Sequence, residues 1–78
     1  MNNSQQMLEA LEQQDLSRAD SFFQKALEED SDEVLLELAA YLEGIGFFPQ
    51  AAQIYEKLAP KFPEVYINLA AIAGEDGL

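Results

Sequence analysis

The sequence of 78 residues contains no cysteine and no histidine. Without cysteine the chain forms neither a disulfide nor a thiolate, and without histidine it lacks the commonest general base and a principal zinc ligand. Carboxylate pairs such as Glu9/Glu12 and Glu28/Glu29 remain, but they fall on the polar sides of amphipathic segments, where exposure to solvent is the ordinary outcome. We therefore expect a protein that is not an enzyme and that binds no metal and no cofactor.

Basic residues are scarce as well: four lysines and arginines stand against 15 acidic residues, and the net charge is −11. Because such a chain repels nucleic acid and anionic membrane surfaces, we expect neither as a partner. Two interpretations of the charge remain open, a solvated acidic surface or a surface suited to a basic partner. The densest acidic segment, Glu28 to Glu33, lacks the glycine and the distal glutamate of an EF-hand loop, so we interpret it as a solvated turn before a helix.

Long hydrophobic runs are also missing. No segment approaches the roughly 20 apolar residues of a membrane span, and the N-terminal segment MNNSQQML has no basic region of the kind that opens a signal peptide. The hydrophobic fraction is nevertheless 49%, which is typical of a folded domain and not of a disordered acidic tail. We therefore expect one small cytoplasmic domain.

The sequence does contain helical periodicity along most of its length. Apolar residues recur three and four positions apart, as at Ala19, Phe23 and Ala26, which is the spacing of one core-facing stripe on a helix. Proline and glycine mark the ends, because neither continues a helix readily. The spacing predicts five helices and no strand: Ser4 to about Gln14, a second after the candidate caps Asp15 and Ser17, about Asp32 to Glu43, Pro49 to a stop at Pro60, and about Glu64 to Ala73 with a stop at Gly74.

Part of this pattern recurs. The segments LAAYLEGIGF (38–47) and LAAIAGEDGL (69–78) share Leu-Ala-Ala and a glycine at the same spacing. Residues 35–63 also fit the pattern W-x2-L-G-x2-Y, A-x3-F, P of the tetratricopeptide repeat, with a residue of similar size in every slot. On these positions the chain resembles the tetratricopeptide repeat family. The matching residues are Leu35, Leu38, Ala39, Leu42, Ala51, Tyr55 and Pro63 in the middle copy, Ala19 and Phe23 in the first, and Tyr66, Leu69, Ala70 and Ala73 in the third.

The resemblance implies an all-α fold of antiparallel helix-turn-helix repeats, stacked as a short α–α superhelix. Repeat 1 would cover residues 4–31, repeat 2 residues 32–63 and a partial repeat 3 residues 64–78, all in one domain. The third copy ends where the turn before a further helix would begin, so we expect the chain to be the N-terminal part of a longer array. The repeats recur after about 31 residues instead of the 34 of the family, which leaves the superhelical pitch undefined. A generic antiparallel helical bundle is the alternative fold.

In the family, the first helix of each repeat lines a concave surface that binds peptides or helices. Here those helices are apolar at the centre and acidic at the flanks, and all four cations (Arg18, Lys25, Lys57 and Lys61) fall on second helices or in turns. The resemblance therefore implies a non-catalytic protein–protein interaction scaffold for a basic or amphipathic peptide. It does not imply capture of a C-terminal carboxylate, which some members achieve with lysine, arginine and asparagine on their first helices. The candidate groove residues are Gln5, Glu9, Glu12, Glu33, Leu36, Ala40, Glu43, Ile67, Ala71 and Glu75.

The predicted fifth helix suggests a second function. Its residues from Val65 to Ala73 are nearly all apolar, so one side would stay uncovered after the other has packed on the fourth helix. An uncovered apolar side favours association with another protein surface. A structural self-association module, a homodimer formed through this helix, is therefore the alternative function.

Overall fold

The computed structural model describes residues 1–76, and their side chains through residue 74. The described residues form five α-helices and no strand, which confirms the all-α fold class and the number of helices expected from the apolar spacing. The helices are α1 (Asn3–Glu12), α2 (Leu16–Glu29), α3 (Asp32–Gly44), α4 (Phe48–Leu58) and α5 (Val65–Asp76).

The chain divides into two compact units, unit 1 (Met1–Leu35) and unit 2 (Leu36–Leu78). In unit 1, α1 packs on α2. In unit 2, α4 packs on α5, and a hydrogen bond joins Tyr55 of α4 to Glu43 of α3. The division falls within α3.

The first helix begins one residue earlier than predicted, because Asn2 and not Ser4 provides the cap. Asn2 Oδ1 accepts a hydrogen bond from the Gln5 backbone N–H at 2.8 Å. In return, Gln5 Oε1 accepts one from the Asn2 backbone N–H at 3.0 Å. This reciprocal pair is a capping box, and it satisfies two backbone donors that have no partner within the helix.

Ser4 instead takes part in a contact that joins the two helices of unit 1. Asp30, the residue that follows α2, accepts hydrogen bonds from the Ser4 hydroxyl at 2.7 Å and the Ser4 backbone N–H at 2.9 Å. It also accepts one from the Asn3 amide at 3.1 Å. Burial raises the pKa of Asp30, but these hydrogen bonds outweigh burial and hold the pKa below its ordinary value of 3.8. The ionised carboxylate thus stabilises the N-terminus of α1 from the end of α2.

The turn between α1 and α2 depends on one residue in the left-handed conformation, Gln14, whose φ is 59°. Its N–H donates to the Leu11 carbonyl at 3.0 Å, and the Asp15 N–H donates to the Ala10 carbonyl at 2.9 Å. This pair of bonds is the Schellman motif, which closes a helix end and reverses the chain. Asp15 then caps α2, since its carboxylate accepts the Arg18 backbone N–H at 3.2 Å; of the two candidate caps, it is the one used.

The same turn recurs between α3 and α4, with Gly46 in the position of Gln14 and a φ of 90°. The Gly46 N–H donates to the Glu43 carbonyl at 3.2 Å, and the Phe47 N–H donates to the Leu42 carbonyl at 2.8 Å. The two helix pairs α1–α2 and α3–α4 are therefore closed by equivalent hydrogen bonds. The chain leaves α3 at the left-handed Gly46, since the helix itself still includes Gly44.

Both units bury small and large apolar side chains together. In unit 1, Ala19 and Ala26 are at most 2% exposed beside Phe23, which is 1% exposed. Small side chains let two helices approach closely, and a large one fills the space that remains. Fully burying one phenylalanine contributes about 1.5–3 kcal/mol. In the first two copies of the repeat pattern, these small and large side chains are buried: Ala19, Phe23, Ala26, Leu38, Ala39, Leu42, Ala51 and Tyr55.

The predicted stop of the fifth helix at Gly74 is wrong, because α5 continues to Asp76. A glycine inside a helix costs about 1 kcal/mol relative to alanine, but it ends the helix only when it adopts the left-handed conformation. Gly46 adopts that conformation and Gly74 does not.

The third copy of the repeat pattern does not bury the residues that the middle copy buries. Tyr66 and Ala70 correspond in the pattern to Leu35 and Ala39, which are 0% exposed. Tyr66 is 60% exposed, and Ala70 is exposed as well. The reason is that α5 turns other residues inward, Val65 and Ile72, while no helix of the described part covers the side that carries Tyr66.

Replacing Gln14 by glycine should stabilise the protein. For a residue with a Cβ, the left-handed conformation costs roughly 1–2 kcal/mol of conformational energy. Glycine adopts this conformation freely. After allowance for the greater freedom of glycine in the unfolded chain, we expect the free energy of unfolding to rise by about 0.5–1 kcal/mol. Urea denaturation followed by circular dichroism measures it.

The matched control is Gln53→Gly, at an exposed position in the interior of α4. This change should lower the free energy of unfolding by about 1 kcal/mol. A loss of stability in Gln14→Gly would contradict the turn geometry described here.

Candidate functional site

Four candidate residues from the sequence lie in unit 1. Gln5, Glu9 and Glu12 are exposed on one side of α1, since their spacing of four and three residues places them on one helix face. Gln5 is also engaged in the capping box. Glu33 is exposed in the first turn of α3, where a carboxylate stabilises the positive end of the helix. The side chain of a further candidate, Glu75, lies outside the described residues.

The other five candidates lie in unit 2, on α3 and α5. Leu36, Ala40 and Glu43 recur along one side of α3, with Ala40 exposed and the other two half-buried. On α5, Ile67 is 76% exposed, and Ala71 is exposed one turn further on. Each helix therefore presents a short row that is mainly apolar.

A hydrogen bond joins the two helices that carry these rows. The Asn68 amide of α5 donates to Glu43 Oε1 of α3, with a long Nδ2 to Oε1 distance of 3.5 Å. Ala71 follows Asn68 by three residues and so lies on the same side of α5 as this contact, and Ile67 lies one turn before Ala71. We call the five residues Leu36, Ala40, Glu43, Ile67 and Ala71 the α3–α5 surface.

Glu43 is bound by a third helix as well. The Tyr55 hydroxyl of α4 donates to the same atom, Glu43 Oε1, at 3.0 Å. The sequence identified Glu43 as a surface candidate but missed both of its partners. Two signals were available: Tyr55 occupies a pattern position where the family has phenylalanine, and Asn68 is the one amide in the apolar run from Val65 to Ala73.

The environment of Tyr55 changes its ionisation. Its side chain is only 3% exposed. Burial, the hydrogen bond to Glu43 and the negative charge of Glu43 raise the pKa of Tyr55 to about 12. The phenol therefore remains a hydrogen-bond donor to Glu43 throughout the neutral range.

The outward side of α5 carries no charged residue along its described length. Tyr66 and Ile67 are 60% and 76% exposed, and Ala70, Ala71 and Gly74 are exposed beyond them. Two large apolar side chains next to three small ones form a contiguous apolar surface, of the kind that marks an interaction site.

The cations lie elsewhere. On α2, Arg18 and Lys25 flank the Phe22 ring, with the guanidinium carbon 5.5 Å and the ammonium nitrogen 5.4 Å from the ring centroid. Lys57 is in the last turn of α4, and Lys61 lies in the turn after it. Neither α3 nor α5 contains a lysine or an arginine, so the charged side chains that these two helices themselves carry are all carboxylates.

Within residues 1–76, no group of three or more histidine, cysteine, aspartate or glutamate side chains could hold a metal ion. No helix in that part of the chain is both long and apolar enough to cross a membrane.

Comparison with known proteins gives no relative. No family model, no curated protein and no solved structure matches the chain. The resemblance to tetratricopeptide repeats therefore stays a prediction from the sequence pattern.

The raised pKa of Tyr55 predicts a loss of stability in alkaline solution. The pKa is 10.0 in the unfolded chain and about 12 in the folded protein, so the unfolded state loses this proton first as the pH rises. The free energy of unfolding should be unaffected by Tyr55 below pH 10. It should then fall by up to about 1.4 kcal/mol per pH unit between 10 and 12.

Tyr55→Phe isolates this contribution from the other groups that titrate in the same range. At pH 7 the variant should be less stable by about 1 kcal/mol, because the hydrogen bond to Glu43 is lost. The difference between wild type and variant should shrink as the pH passes 10, as measured by urea denaturation at each pH. A constant difference from pH 7 to 11 would show that the Tyr55 pKa is not raised.

Proposed function

We propose that this chain is a non-catalytic, tetratricopeptide-like interaction scaffold that binds a basic or amphipathic peptide on the α3–α5 surface. The observation that carries the proposal is the hydrogen bond between Asn68 and Glu43, beside which α3 carries the exposed Ala40 and α5 carries the exposed Ile67 and Ala71. An isoleucine that is 76% exposed on a small domain is favourable to bury against a partner.

The charge of the chain supports a basic partner. With a net charge of −11 and no cation on α3 or α5, an acidic peptide would approach against repulsion, whereas a basic one would be attracted. Apolar contacts then supply most of the affinity, and the carboxylates make the surface prefer a basic peptide to an acidic one. The cytoplasmic location expected from the sequence stays a prediction.

A titration with two matched peptides tests this function. An amphipathic peptide of leucine, alanine and lysine should bind at least about tenfold more tightly than the same peptide with glutamate in place of lysine, a difference of about 1.4 kcal/mol. Fluorescence anisotropy at low ionic strength measures both dissociation constants. Equal or tighter binding of the acidic peptide would refute the proposal.

Two isoleucines of unit 2 offer a matched pair of variants. Ile67→Ser removes the apolar side chain from the α3–α5 surface and should weaken binding by about tenfold, the cost of truncating one buried contact. Ile45→Ser changes an isoleucine that is 47% exposed in the turn after α3 and should leave binding unchanged. Equal effects of the two changes would place the binding site elsewhere.

Self-association is the second candidate function, and the outward side of α5, which carries no charged residue from Val65 through Gly74, favours it. Tyr66 and Ile67 of two copies could bury each other, while Ala70 and Gly74 allow the helices to approach closely. This side of α5 carries no charged side chain through residue 74. The negative charges that repel a second copy therefore lie farther from the contact, where salt screens them more strongly.

Light scattering at two protein concentrations tests this alternative. A self-associating chain should show a mass that rises towards that of a dimer at the higher concentration, and Tyr66→Ser should restore the monomer. Tyr41→Ser is the control, since Tyr41 is also exposed, at 46%, but lies on α3. A strictly monomeric wild-type protein at both concentrations rules the dimer out.

A further inference from the structure

The carboxylate of Glu43 is held in place by the protein itself. Its Oε1 accepts two hydrogen bonds, from the Tyr55 hydroxyl at 3.0 Å and from the Asn68 amide at 3.5 Å. A glutamate on a helix surface ordinarily samples several rotamers, and a partner that binds it must restrict them. Here neighbouring helices have already restricted them.

The second oxygen of this carboxylate is open to a partner. No described residue donates a hydrogen bond to Glu43 Oε2, although an ionised carboxylate has about four acceptor positions. No buried side-chain oxygen of the described residues lacks a hydrogen-bond partner, so Oε2 is in contact with solvent. Because Glu43 is half-buried, its charge is less screened by water than that of a fully exposed glutamate.

Apolar residues precede this acceptor on its own helix and follow its partner Asn68 on α5. Ala40 and Leu36 precede Glu43 on the same side of α3, and Ala71 lies one turn beyond Asn68 on α5. The stem of a long cationic side chain can lie along such residues while its charged end reaches the carboxylate.

We propose that Glu43 Oε2 anchors the ammonium group of a lysine in the bound peptide, and that this lysine stands beside an apolar residue that packs on Ala40 and Ala71. The inference rests on the proposed function and names the recognition element of that same surface. The inference also predicts that the surface prefers a lysine to an arginine. Because Oε1 already accepts two donors, the carboxylate cannot offer both oxygens to the fork of an arginine, whereas a lysine needs one acceptor.

A lysine scan in an amphipathic peptide provides the test. The probe is a set of 12-residue peptides of leucine, alanine and glutamine in which a single lysine occupies each position in turn, with arginine and glutamine counterparts. For wild-type protein, at least one position should give about tenfold tighter binding with lysine than with glutamine, the size of one charge-assisted hydrogen bond. At that position, lysine should also bind more tightly than arginine.

Glu43→Gln should remove the preference for lysine. The glutamine keeps an oxygen that accepts from Tyr55 and Asn68, so the helices stay joined, while the charge is lost. Glu37→Gln is the matched control, because Glu37 is exposed on the same helix and outside the α3–α5 surface; it should keep the lysine preference. Asn68→Ala provides an independent check: with one donor removed from Oε1, binding of the arginine peptide should approach that of the lysine peptide.

The outcomes separate the two proposals. If Glu43→Gln and wild type show the same ratio of lysine to glutamine binding, the anchor is overturned and the peptide-binding function stands. An arginine peptide that binds wild type more tightly than the lysine peptide also overturns the anchor. If no peptide of the set binds wild-type protein, the proposed function fails, and the anchor fails with it.

Discussion

Each of the helix pairs α1–α2 and α3–α4 depends on one residue in the left-handed conformation, Gln14 in the first and Gly46 in the second. This conformation directs two N–H groups back to the end of the preceding helix, so the chain reverses within a few residues. In the second turn, one of those N–H groups binds the backbone carbonyl of Glu43. The turn therefore fixes the position of Glu43, whose side chain accepts hydrogen bonds from Tyr55 and Asn68. The α3–α5 surface thus depends on this turn.

The fold could be predicted from the sequence to the extent that local patterns decide it. Apolar spacing predicted five helices, and the alanine and aromatic positions of the first two copies of the repeat pattern are buried, because a core-facing stripe is a property of one helix. The start of α1 was misplaced by one residue because Asn2 and Gln5 cap each other across three residues, and this pair was not recognised in the sequence. The stop at Gly74 was wrong because a glycine ends a helix only if its backbone changes conformation.

The candidate site was predictable in its exposed residues and not in its contacts. Helix spacing placed Ala40, Glu43, Ile67 and Ala71 at or near the surface, since an amphipathic helix has a definite outer side. Spacing within one helix carries no information about which side chains of other helices meet Glu43. The Tyr55 hydroxyl and the Asn68 amide reach one oxygen only because three helices converge there, and this convergence depends on packing between helices that lie far apart in sequence.

The central claim is that the α3–α5 surface binds a basic amphipathic peptide. Its most direct test is a titration of isotopically labelled protein with the leucine, alanine and lysine peptide, followed by amide chemical shifts in NMR spectra. The account predicts that the largest shifts occur at Ala40, Glu43, Ile67 and Ala71 and that amides of α2 near Phe22 change little. Largest shifts on α2, or no shifts at peptide concentrations in the millimolar range, would contradict it.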